Sequence, residues 1–262
     1  MTAADLIAAL ALPAGCRVDQ RVPKKMLIDN GAATAAYKRL LNEAIEETQW
    51  VAALKPNTVG VPAYTDADRQ YLEVAVLSIV TRDAPAAGDA SAKPVNTMRL
   101  AELVHRAVPY PVLLVLATPQ GLRLSMAHKR WAQNEADKVV LDGDVLTLDM
   151  AADLAPAQAF MQSLTLARQP NANLLVLYQG WLDCLTALQV ARYTGRFAAV
   201  DDPALATRRR AALQECQRLE QEAARLRTQA AKEKQMARQV DLNLALKRVQ
   251  AALAAAHEQL GR

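Results

Sequence analysis

Glu43, Glu46, Asp68 and Glu73 are the first residues to test for chemistry, because carboxylates drawn from a helix and nearby strands can hold Mg²⁺ through oxygen. Metal-dependent nucleases of that design also place a lysine two positions beyond the last acid. Here that position is Ala75, so Lys24 or Lys25 would have to supply the ammonium. A nuclease built on these four acids is therefore the alternative reading rather than the leading one. Other reactions find less. No Gly-rich turn follows a strand to cradle a phosphate. His105, His128 and His257 have no nucleophile elbow beside them, and His105 reads as a packing or surface residue of its helix. Cys16, Cys184 and Cys216 are far apart and form no CxxC pair, which points to reduced structural thiols rather than a zinc site or disulfide framework. No catalytic residue, resident metal or cofactor is assigned.

Basic side chains suggest contact instead. Lys24 and Lys25 directly follow Pro23. In an extended chain their ammonium groups would project to opposite sides. One would face a phosphate or partner, and the other would pair with Glu43 or Glu47. Lys129 and Arg130 beside Trp131 have the composition of a base-stacking, phosphate-contacting patch. Lys232, Lys234, Gln235 and Asn243 extend the candidates for partner or DNA contact into the tail.

The charge distribution limits how far that idea reaches. The chain carries 31 basic and 27 acidic side chains, a net of +4. From Asp201 to Arg262 there are 12 and 8, so residues 1–200 balance at 19 against 19. A body built to bind nucleic acid would show its own basic excess. With 52% apolar and 22% charged residues, the 262-residue chain is not disordered. Asp5 interrupts the first apolar stretch, and no basic start precedes it, so a signal peptide is not expected. Apolar runs such as Val112–Ala117 fall short of the ~20 residues that cross a bilayer, and a cytoplasmic protein is expected.

Several elements must position these residues. A short helix is expected over Thr2–Leu12, then an extended stretch over Arg17–Ile28. A helix capped by Asp29 or Asn30 runs to about Thr48, with Tyr37, Leu40, Leu41, Ala44, Ile45 and Thr48 as its buried stripe. Trp50–Leu54 and Thr58–Val61 read as strands, and Tyr71–Val80 as a central one. A loop spans Thr81–Val95. Asn96 or Thr97 caps a helix that ends at Pro109-Tyr110-Pro111. Hairpins are expected for Val112–Ala117 with Leu122–His128, and around Asp142-Gly143. In the first of these, Arg123, Ser125 and Ala127 form the outward row. Pro156–Arg168 and Leu174–Tyr193 read as helices, with Gly195 as a stop. From Pro203 a long helix carries a heptad seam of Cys216, Leu219, Ala223, Leu226, Ala230, Ala237, Val240 and Leu244. Glu233 interrupts that seam, and from Leu246 it shifts to Val249, Leu253, Ala256 and Leu260. The expected class is α+β: a mainly antiparallel sheet with helices over 1–150, a helical connector over 151–200, and a long coiled-coil-like helix over 201–262.

Short motifs occur along this frame in a fixed order. They are Val22-Pro23-Lys24-Lys25, Leu54-Lys55-Pro56, Val108-Pro109-Tyr110-Pro111-Val112, Lys232-Glu233-Lys234-Gln235 and Val240-Asp241-Leu242-Asn243. Together they resemble the domain of unknown function family DUF4391 over nearly the whole chain. Met236-Ala237 departs from the aromatic often found there in that family. The resemblance implies an accessory protein of restriction-like or antiphage gene clusters, set beside helicases and DNA methyltransferases, and it supplies no catalytic residue. The expected role is an accessory or scaffolding subunit that docks such an enzyme, with DNA and a second copy of the chain as further partners and no membrane. A purely structural coiled-coil oligomer is the other alternative.

Overall fold

Thr2 opens the chain with a reciprocal cap. Its hydroxyl accepts from the Asp5 amide at 3.2 Å, and the Asp5 carboxylate accepts from the Thr2 amide at 2.7 Å. The first helix, α1, follows over Ala3–Ala9. The computed structural model describes residues 1–31, 33–82, 95–133, 138–150, 157–200 and 202–260. Most of the expected Thr81–Val95 loop, residues 83–94, lies outside the described residues, as does Pro156. The chain divides into two compact units, Met1–Leu182 and Asp183–Arg262.

The first unit is built on a six-stranded sheet ordered β1-β2-β5-β6-β7-β8. These strands are Arg17–Arg21, Ile45–Leu54, Val74–Thr81, Val112–Thr118, Gly121–Trp131 and Val139–Met150. β3 (Tyr64–Thr65) and β4 (Gln70–Tyr71) form a separate two-stranded ribbon. β5 and β6 run parallel, joined by the crossover helix α5 (Thr97–Ala107), and the other described pairings are antiparallel. Ala75, Leu77 and Ile79 of β5 and Val112, Leu114 and Leu116 of β6 face α2 (Lys24–Gly31), α3 (Ala35–Ala44) and α5, which supply Leu27, Leu41, Leu100, Leu103 and Val104. Side-chain alternation sends Leu113 and Val115 to the opposite face. There the Tyr178 hydroxyl donates to the Val112 carbonyl at 2.8 Å, and Trp181 Nε1 donates to the Leu164 carbonyl at 2.8 Å. Helices thus cover both faces of the sheet.

The α+β class stands, and several local expectations are corrected. The chain after Pro23 is helical, because Leu27 and Ile28 gain burial against the core only when the segment coils. The next helix starts after Thr34, whose hydroxyl caps the Tyr37 amide, and it stops at Ala44. Ile45 to Leu54 is one strand, since ladder pairing with β5 outweighs the helical spacing of Ile45 and Thr48. Thr58 belongs not to a strand but to the single turn α4 (Pro56–Val59), where its hydroxyl accepts from the Lys55 amide at 2.9 Å. Asp142-Gly143 is not a hairpin turn. Gly143, at φ +80°, sits in a bulge where β8 gains two residues against β7 between the Met126 and His128 pairings. β1 also shifts register between Arg17 and Gln20.

The helix α6 (Ala157–Ser163) and α7 (Leu174–Thr194) follow. The latter is long and apolar enough to cross a membrane, yet 67% of that window is buried, as in a core helix. In the second unit the stretch from Pro203 is two helices, α8 (Pro203–Lys232) and the long final α9 (Met236–Leu260). The Glu233 carboxylate accepts from the Lys234 and Gln235 amides at 2.8 and 2.9 Å, which holds its pKa below the usual range and fixes the reversal. Cys216, Leu219, Ala223, Leu226 and Ala230 are buried, as their seam requires. Ala237, Val240 and Leu244 are exposed, contrary to the heptad frame. The reversal resets the register, so α9 turns Val249, Leu253, Ala256 and Leu260 toward Leu213, Cys216 and Leu219.

Leu219→Asp or Leu226→Asp places a carboxylate among these side chains. Each is expected to lower unfolding free energy by about 3 kcal/mol, read by chemical denaturation. Variants that melt like the parent would contradict this packing.

Candidate functional site

Where β1 gives way to α2, the Val22 amide donates to the Thr48 carbonyl at 2.9 Å, and Pro23 then starts the helix. Lys24 and Lys25 consequently lie about 100° apart around a helix instead of on opposite sides of a strand. Lys24 is half-buried, and its ammonium donates to the Ile45 carbonyl at the C-cap of α3. It forms no ion pair with Glu43 or Glu47. Burial, with the Arg82 and Arg21 guanidiniums nearby, lowers its pKa, and Glu46 opposes that shift. Lys25 is exposed.

These residues border a cleft of about 370 Å³ lined by Arg21, Val22, Pro23, Lys24, Glu46, Glu47 and Thr48. Arg21 faces Glu47 across it at 3.9 Å. Thr48 is 1% exposed, and its Oγ1 has no hydrogen-bond partner. The wall therefore offers cations and carboxylates without a nucleophile–base pair. That chemistry suits recognition of a polar segment rather than bond cleavage.

The four candidate metal ligands are not brought together. Glu43 pairs with Arg39 at 2.8 Å on the exposed side of α3, and Glu46 borders the cleft. Asp68 is exposed in the turn between β3 and β4. Glu73 is buried, with one oxygen 3.2 Å from Lys55 and the other unpartnered. Among the described residues no group of three His, Cys, Asp or Glu side chains is placed to hold a metal ion.

Lys129 corrects the expected basic patch. It is 3% exposed, and its ammonium donates to the His105 and Val108 carbonyls at the C-terminal end of α5. Burial pushes it down to about 7. Strand alternation puts Arg130 on the other face, where it lies 3.8 Å from Asp142, while Trp131 is half-buried. Of the row expected to face outward, Ser125 and Ala127 are buried, as is Lys129 beyond them, and Arg123 is half-buried beside Asp149. The signal of that burial in the sequence is the run of small residues ahead of the lysine, which leaves room for a helix end. In the tail, Lys232, Lys234, Gln235 and Asn243 are exposed.

Sequence reasoning also missed a buried polar chain. His105 Nε2 is 3.0 Å from Ser125 Oγ, which is 2.9 Å from Thr147 Oγ1. His105 is fully buried, and its Nδ1 has no hydrogen-bond partner. Burial, together with the nearby Lys129 charge, pushes the imidazole down to about 3. Tyr71 Oη and Gln179 Oε1 hold the two ring nitrogens of His128 at 2.6 and 2.8 Å.

Two outcomes follow from the groups around α5. The unfolded chain takes up a proton at its imidazole near pH 6.5, while folded His105 stays neutral until about 3. The contribution of His105 to stability is therefore complete above 6.5 and falls by up to about 1.4 kcal/mol per pH unit below it. Denaturation at stepped pH should show a shallower slope in His105→Gln; an identical slope would contradict a buried neutral imidazole. Lys129→Met leaves two carbonyls without their donor and should cost about 2–3 kcal/mol by the same measurement.

No curated protein and no solved structure matches the chain. The family model described as Domain of unknown function (DUF4391) matches residues 10–253. The motif segments within that span lie at structural junctions. Val22 and Lys24 tie β1 and α2 to β2 and α3, Lys55 joins α4 to Glu73, and Val108 receives Lys129. The Pro111 carbonyl accepts from the Ala75 amide at 2.9 Å, and Glu233 caps the tail reversal. With its fold and nearly its whole length accounted for in this way, the chain belongs to the DUF4391 family.

Proposed function

We propose that the protein is an accessory, scaffolding subunit of a DNA-directed complex of the restriction or antiphage kind, docking a helicase or a DNA methyltransferase. The observation that carries this reading is how the motif residues are used. Lys24, Lys55, Val108 and Glu233 hold element junctions together, and among the described residues no group of three His, Cys, Asp or Glu side chains is placed to hold a metal ion. A chain whose signature residues maintain shape presents surfaces. In this reading the Arg21–Thr48 cleft receives a polar segment of the partner enzyme, exposed Lys25, Lys232 and Lys234 are the side chains open to DNA, and the helical unit contributes assembly.

Co-expression with a helicase and with a DNA methyltransferase of the gene clusters that the family resemblance implies tests the proposal. One of the two is expected to co-purify. Arg21→Glu and Glu46→Arg should each weaken that binding roughly tenfold, about 1.4 kcal/mol, at unchanged melting temperature. If neither enzyme is retained, the reading fails. Mg²⁺- or Mn²⁺-dependent DNA cleavage by the purified chain, abolished in Glu73→Ala, would replace it with the nuclease.

A further inference from the structure

The face of α9 turned away from α8 carries Met236, Val240 and Leu244 at successive four-residue steps, and they are 80%, 53% and 51% exposed. Positions three, four and seven apart share a helix face, and exposed Lys247 and Ala251 continue this one. Beside this stripe lie Asp241 and Arg248. They are seven residues apart, hence on one flank, and Leu244 falls between them. Neither has an ion-pair partner within the described chain.

We propose that this face binds a second copy of the chain, α9 against α9 in antiparallel orientation with the two-fold axis beside Leu244. The argument is the arrangement of the charges. A closed two-fold contact requires that if residue i meets j, then j meets i. When the two helices run antiparallel about Leu244, Asp241 lies opposite the second copy's Arg248, and the same pair forms again on the other side of the axis. The two Leu244 side chains meet near the axis. An acid three residues before Leu244 and a base four residues after it, on one flank, are what self-pairing needs; an unrelated partner would impose no such symmetry. The inference goes beyond the docking of an enzyme at the cleft and does not depend on it.

Sedimentation of the full chain tests the proposal, with a concentration-dependent doubling of mass expected. Leu244→Asp should abolish the dimer without lowering the monomer's stability, because the side chain is exposed there. Asp241→Arg and Arg248→Asp should each weaken the dimer at least about tenfold, and the double variant should regain it, since both symmetric pairs are restored in reverse. The three native cysteines are buried, so Leu244→Cys adds one accessible thiol near the axis and should cross-link two chains on mild oxidation. A monomer at every concentration would overturn the proposal. So would a dimer that survives Leu244→Asp, or Leu244→Cys cross-linking no faster than a Lys25→Cys control.

Discussion

The buried ammonium of Lys129 is the contact on which the arrangement of the first unit depends. α5 makes the crossover between the parallel strands β5 and β6, so its C-terminal end must finish over the sheet, out of reach of water. A helix end leaves carbonyls without intrahelical donors and gathers negative partial charge. Lys129 on β7 answers both needs by donating to the His105 and Val108 carbonyls. Removing a lysine from water is costly, and the depressed pKa expresses that cost. The cost is borne because it fixes where α5 stops relative to the sheet.

Other features follow from that fixed end. A Cβ on Gly31 would lie 2.6 Å from the Ala107 Cβ, so α2 can lie against the last turn of α5 only with glycine at this point. With α2 held there, its first residue, Lys24, reaches the C-cap of α3 and repeats at Ile45 what Lys129 does for α5. The cleft between β1, α2 and β2 thus takes its shape from two lysines that each close a helix end. Lys25, one residue further along, has no such partner and faces solvent.

Elements whose side chains serve one purpose were legible in the sequence. α5 shows an Asn cap and a clean apolar stripe, β5 is apolar on both sides, and β6–β7 carries strong strand residues around Pro119-Gln120-Gly121. What stayed hidden was decided by contacts distant in sequence. The helical period through Ile45 and Thr48 is real, but β5 pairs with that segment and wins. Asp142-Gly143 has the composition of a turn, yet β7 is long enough to pair through it and leave a bulge. In the tail the interruption at Glu233 was visible as a flaw in the seam, whereas the reversal it causes depends on the carboxylate accepting two amides. For the candidate site, Lys24 and Pro23 were legible as a unit. The buried hydroxyl of Thr48 was not, because Thr48 read as part of a helix stripe.

The bulges in the outer strands bear on how the molecule avoids aggregation. Edge strands present unpaired amides and carbonyls that can template further strands from other molecules. β1 is only five residues long, carries Arg17, Asp19 and Arg21, and places Asp19 at φ +48° beside its register shift. β8 is longer, but Gly143 kinks it, and Asp142, Asp144 and Asp149 add charge along it. Both margins of the sheet are thereby unsuited to strand addition, and neither offers a flat ladder for open-ended growth. Association of this protein with itself or with others is left to side-chain surfaces, where a contact can close on a fixed number of molecules.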